Sequence, residues 1–247
     1  MRNLLLLLFL TFGSIHGLMA DPDSTARRIH TGMTLYGEFG LLSNSSFSAI
    51  RDKMNQEGIK PFESLMAAIV LAKRFEGERW FVENRLILMN STNYTKDRDD
   101  TKGYFGGIGI GVMAGPKLLN TRKWNVLLPI GYDLMLYRMM VKNNQKASLG
   151  QIAQNASSYQ PAKLYSANIN INAGLGVDYK IYLKEGFADR MYISTKANYH
   201  LALFRKGDWR GQDVRVSDLP AFKPDQLYWQ IGLTIFPRKQ QRPWHFH

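Results

Sequence analysis

Residues 164–184, LYSANININAGLGVDYKIYLK, alternate in character at every second position from Tyr165 to Ile181. Tyr165, Ala167, Ile169, Ile171, Ala173, Leu175, Val177, Tyr179, Ile181 and Leu183 form one series. Ser166, Asn168, Asn170, Asn172, Gly174, Gly176, Asp178 and Lys180 form the other. A period of two means a β-strand whose faces meet different surroundings. One face is wholly apolar, with tyrosine towards both ends, and the other is polar or bare. That pairing fits a strand with lipid on one side and a polar interior on the other.

Seven further segments follow the rule, near 32–42, 64–75, 80–90, 103–115, 124–141, 191–205 and 226–236. Each is long enough to cross a hydrocarbon layer, for which about 9–11 tilted residues suffice. A sheet in lipid must close on itself, because an open edge leaves backbone groups without partners. The expected fold is therefore all-β: a closed antiparallel up-and-down transmembrane β-barrel of about eight strands. In GYFGGIGIGVMAG (103–115), Tyr104, Ile108, Ile110 and Val112 face outward. Gly107, Gly109, Gly111 and Gly115 line the inside and leave room for bulky neighbours; their spacing matches no phosphate-binding loop. The links between strands run long (43–63), short (76–79), long (91–102), short (116–123), long (142–163), short (184–190), long (206–225). Bacterial barrels alternate short periplasmic turns with longer outer loops in this way. A soluble lipocalin-like carrier would put charges on the outer face, whereas here Glu38, Glu83, Arg85, Asp133, Asp178, Lys180 and Lys196 share the inner one.

Export is legible at the start. Arg2, the apolar run LLLLLFLTF and small residues up to Ala20 describe a secretory signal peptide, cleaved after Gly17 or Ala20. The division is then 1–20 signal peptide, 21–236 barrel and 237–247 a basic and aromatic tail. The chain has no cysteine, which excludes disulfides and thiolate metal sites. The net charge of +12 points to anionic lipid, because an exported protein rarely meets nucleic acid and no nucleic-acid motif is present.

On this architecture the chain resembles the small eight-stranded outer-membrane β-barrels of the OmpA/OmpX kind and the related barrels of Bacteroidota-type bacteria. The most specific parts are the glycine-alternating strand from Tyr104 to Gly115 and the closing aromatic strand ending at Phe236. The resemblance implies a bacterial outer-membrane location, contact with membrane lipids and glycolipid, and insertion by the barrel-assembly machinery. That machinery reads a terminal aromatic residue, so the continuation PRKQQRPWHFH after Phe236 departs from the pattern. Members serve as anchors, adhesins, small-solute passages or lipid-modifying enzymes, and a fold does not choose among these.

Chemistry is sparse. His200 is the one histidine at an inward strand position, with Ser166 expected nearby and no acid beside it; a catalytic triad needs both. His245 and His247 lie in the tail and make a poor metal pair; no cofactor or metal is expected. Glu38, Glu83, Arg85, Asp133, Asp178, Lys180 and Lys196 read as an ion-pair network filling a narrow lumen, with Tyr36 and Arg74 also inward and Asp178 opposite Lys196 to within about two residues of register. Arg27, Arg28, Lys117, Arg122, Lys123, Arg238, Lys239 and Arg242 gather as a basic periplasmic rim near lipid phosphates. Within 46–62, Phe47, Ile50 and Met54 fall on one helical face and Gly58 ends it, predicting a short helix in the first outer loop that caps the barrel mouth, ahead of a partner-binding helix. A structural or surface-interaction role is the expectation, ahead of a lipid-modifying enzyme with His200 as base or a narrow solute passage.

Overall fold

The computed structural model describes residues 29–91, 101–143, 162–203, 209–211, 219 and 222–238. The proposed leader, the tail beyond Arg238, and Arg27, Arg28, Lys239 and Arg242 lie outside them.

Nine strands form one antiparallel sheet: β1 (His30–Leu41), β2 (Leu65–Glu76), β3 (Trp80–Ser91), β4 (Thr101–Asn120), β5 (Trp124–Leu127), β6 (Ile130–Asn143), β7 (Ala162–Tyr182), β8 (Ala188–Ala202) and β9 (Gln226–Pro237). Consecutive strands pair, except that β5 and β6 each pair with β4 and β7 instead of with each other, and β1 pairs with β9 from Met33↔Ile235 to Gly40↔Tyr228, so the sheet closes into a barrel.

The segment 124–141 was expected as one strand, and it is two. β5 and β6 share a single stave, the first pairing with the end of β4 and with β7, the second taking over from Ile130. Pro129 lies at the break, where a residue without an N–H cannot donate to the ladder. The Leu128 carbonyl swings there into the space of Gly115, where a Cβ would collide with it. Nine strands thus make eight staves.

The wall is inside out relative to a soluble protein. Leu35, Leu88, Ile110, Leu136, Ile171, Leu175, Ile193 and Ile231 are exposed, whereas Glu38, Arg74, Glu83, Arg85, Asp133, Asp178 and Lys196 are buried in the lumen. Exposed aromatics border the apolar belt: Trp80 and Trp124 near one end, Phe39, Tyr199 and Trp229 near the other. No helix among the described residues is long and apolar enough to cross a membrane, which says nothing of a β-barrel.

The two ends differ. Short turns (77–79, 121–123 and 183–187) and both His30 and Arg238 lie at one, the turn end. The other, the loop end, carries helix α1 (Ser45–Gln56). Asn44 caps α1 by accepting from the Phe47 N–H at 3.0 Å, and its amide donates to the Lys223 and Asp225 carbonyls, each at 2.7 Å. Gly58 takes a φ of 68° just beyond the helix. The buried face is Phe47, Ile50 and Met54, as their spacing predicts. It docks on an aromatic plug in the barrel mouth: Phe47 meets Phe105 edge-on at 5.3 Å and Phe222 at 5.5 Å, and Phe105 stacks on Tyr137 at 5.7 Å. Trp209 closes against Phe222 at 4.9 Å.

Candidate functional site

Below the plug the lumen is filled by acidic, basic and polar side chains in two groups. Inward residues alternate along every strand, so β1, β2, β3, β6, β7 and β8 each deliver polar groups to one narrow space. An eight-stave barrel is just wide enough for side chains to fill it.

Arg74 on β2 centres the first group. Its Nη2 donates to Asp178 on β7 at 2.7 Å, its Nη1 lies 3.5 Å from Glu83, and its Nε lies 3.4 Å from Glu76. Glu83 also accepts from Tyr36 at 2.8 Å and from Lys196 on β8 at 2.6 Å. Ser194 donates to the second oxygen of Asp178 at 2.8 Å. The cations additionally sit over rings: Arg74 lies 5.0 Å from Phe81, and Lys196 4.4 Å from Tyr36.

Arg85 on β3 centres the second group. It bridges Glu38 at 3.4 Å and Asp133 at 3.6 Å. Gln230 donates to Glu38 at 2.7 Å, and Asn172 to Asp133 at 2.5 Å. Backbone positions without side chains make these reaches possible. A Cβ at Gly111 would fall on the Asp133 carboxylate, and one at Gly232 on the Tyr36 ring. Each charge thus meets an opposite one, the condition under which buried ions persist.

Of the expected network, Glu38, Glu83, Arg85, Asp133, Asp178 and Lys196 come together. Three details differ. The strand register places Asp178 opposite Ser194, and Lys196 opposite Gly176, so Asp178 pairs with Arg74 and Lys196 with Glu83. Lys180 stands apart at the turn end, donating to the Asn120 side chain at 2.5 Å and the Thr121 carbonyl at 2.8 Å. Arg74, read from sequence only as an inward residue, holds three carboxylates.

His200 is buried, with Nε2 3.4 Å from Asp133 and its ring 3.9 Å from that of Tyr228. An acid is therefore beside it, contrary to expectation. Ser166 is not: His200 sits opposite Asn172, six residues along β7, or about 20 Å at ~3.3 Å per residue. Sequence proximity across two paired strands misled because the strands are staggered, and Ser166 lies beyond the last β8 partner.

Of the basic rim, Arg122 and Lys123 are exposed in the turn between β4 and β5. Arg238 is exposed too and donates to the Leu183 and Lys184 carbonyls at 3.0 and 2.9 Å. Lys117 differs: it turns into the lumen and bonds Glu76 and the Gly77 carbonyl. Phe236 also faces inward, 4.9 Å from the Tyr192 ring. Among the described residues no group of three His, Asp or Glu side chains is placed to hold a metal ion.

No protein-family model and no curated protein matches this sequence. Among solved structures the chain is similar to Ail, the attachment invasion locus protein of Yersinia pestis, at 10% identity and a TM-score of 0.42, over 83% of this chain and 97% of that one. The closed ring described above stands on this chain's own strand pairings.

Proposed function

We propose that this chain is a bacterial outer-membrane β-barrel protein with a structural or surface-interaction role, whose lumen is packed rather than conducting. The observation that carries the reading is the inversion of the wall: aliphatic side chains are exposed around the ring while charged ones, Glu38, Arg74, Glu83, Arg85, Asp133, Asp178 and Lys196 among them, are buried inside it. In water that exterior is a large apolar surface without cover, and in hydrocarbon it is the surface that a spanning barrel needs. On this reading residues 1–20 are a signal peptide, the turn end is periplasmic and the loop end faces outward. Membrane lipids and glycolipid are the neighbours, and barrel-assembly machinery inserts the chain. Fractionation tests it. The protein should separate with outer membranes and change mobility in SDS gels on boiling, and recovery as a soluble periplasmic monomer would overturn the reading.

The Asp133–His200 contact favours a second reading, a lipid-ester hydrolase with His200 as base. Against it, Ser166 is remote, and His200 is enclosed by Tyr228 and Gln226. If His200 only packs, His200→Ala leaves the acylation of membrane lipids unchanged by mass spectrometry; an altered acylation pattern would restore the enzyme.

A further inference from the structure

At the turn end the lumen opens into a cavity of about 370 Å³ whose walls carry three cations, Lys117, Lys180 and Arg190, together with His30, Glu76 and Glu78. Among the described residues charge does not balance there. Glu76 is engaged by Lys117, by Arg74 and by the Tyr192 hydroxyl at 3.0 Å. Glu78 sits on the exposed lip. Among the described residues Lys180 bonds only two neutral oxygens, on Asn120 and Thr121, although an ammonium has three donors.

Arg190 is more telling. Its guanidinium is held against the rings of Phe236 at 4.6 Å and Tyr192 at 5.6 Å, which fixes its plane. Its Nε and Nη2 are both buried and neither has a hydrogen-bond partner among the described residues. These two nitrogens form the side edge of the guanidinium, the fork that takes two oxygens of one carboxylate or phosphate in parallel. A buried polar group without a partner calls for a missing acceptor. Water would satisfy the fork but not the excess positive charge.

We propose that this vestibule binds a phosphate group, gripped by the Arg190 fork with Lys180 and Lys117 supplying further donors. Phosphate has more oxygens to share among these donors than a carboxylate has. The group arrives either as free phosphate or on the headgroup of an anionic phospholipid. The site follows from the barrel's geometry alone and is independent of the cellular role proposed above.

The test uses the full refolded chain, with heat-dependent gel mobility as the check that each variant is folded. The Arg190 Nε–H resonance is followed by NMR in zwitterionic nanodiscs during titration with inorganic phosphate, against sodium chloride at matched ionic strength. A second arm replaces part of the lipid with phosphatidylglycerol. A saturable shift with phosphate identifies the free ion as ligand; a shift only with phosphatidylglycerol identifies the headgroup. Arg190→Lys keeps the charge but loses the fork, and should weaken binding about tenfold or more when followed by calorimetry. Lys180→Gln should weaken it less. No saturable response in either arm, a response that chloride reproduces, or undiminished binding by Arg190→Lys would overturn the proposal.

Discussion

The two halves of the lumen are closed by opposite chemistry. At the loop end Phe47, Phe105, Tyr137, Trp209 and Phe222 meet ring against ring beneath α1. Through the middle, Arg74 and Arg85 each hold carboxylates from other staves. The aromatic plug is bound by dispersion and area, so its contacts are numerous, individually weak and tolerant of reshaping. The ionic layer is bound by a few long side chains whose charges are shared among a handful of buried partners. Removing one of them leaves several others exposed to the cost of burial. Two fillings of one tube should therefore fail differently.

The largest effect is expected at Arg74. Arg74→Met strands Asp178 and leaves Glu83 and Glu76 with one cation each, Lys196 and Lys117, and a broken buried pair costs about 3–5 kcal/mol, reduced where lumen water reaches the carboxylates. Urea unfolding of the refolded barrel in lipid vesicles, followed by tryptophan emission, measures it. Arg74→Lys should recover little, since one ammonium cannot reproduce a guanidinium that meets three carboxylates. Equal stability of Arg74→Lys and the native chain would break the comparison.

In the plug, Phe105→Ala should cost about 3 kcal/mol by opening a cavity where five aromatic rings meet Phe105. Here the conservative change is forgiven: Phe105→Leu should lose less than about 1.5 kcal/mol in the same assay. A plug as intolerant as Arg74 would erase the distinction.

Pairing within the ionic layer is sharpened by a double-mutant cycle on Lys196→Met and Glu83→Gln, joined at 2.6 Å. The double variant should recover about 1–2 kcal/mol of the summed single losses. Strict additivity would mean that the two charges do not depend on one another. The smallest effect is at the cap: Asn44→Ala removes the bond to the Phe47 N–H and should cost about 1 kcal/mol, read as faster proteolysis in the α1 region.

Much of this was legible in the chain. Alternation through 164–184 sorts Ile169, Ile171 and Leu175 from Asn170, Asn172 and Asp178, and the structure exposes Ile171 and Leu175 while burying the polar three. The spacing of Phe47, Ile50 and Met54 and the following Gly58 suffice for α1. Register was less accessible. It is set by the turn through Gly186, whose φ of 97° no alternation pattern reveals. A two-residue slip there gives Lys196 the wrong acid. Contacts across the lumen were less accessible still, since Arg74 and Asp178 stand on staves that never pair. Pro129 was visible, but a long run of alternation on both sides concealed the break it marks.

Whether the filled lumen is closed to ions is tested most directly by single-molecule recording of the refolded barrel in planar bilayers. Arg74, Arg85, Lys196 and their carboxylates are buried within the tube and the aromatic plug lies above them, a filling expected to leave no continuous water path. The expected trace is a quiet baseline across a wide range of voltage, after insertion has been verified independently by protease protection. A stable, single-sized conductance from the native protein would contradict the packed interior on which the account rests.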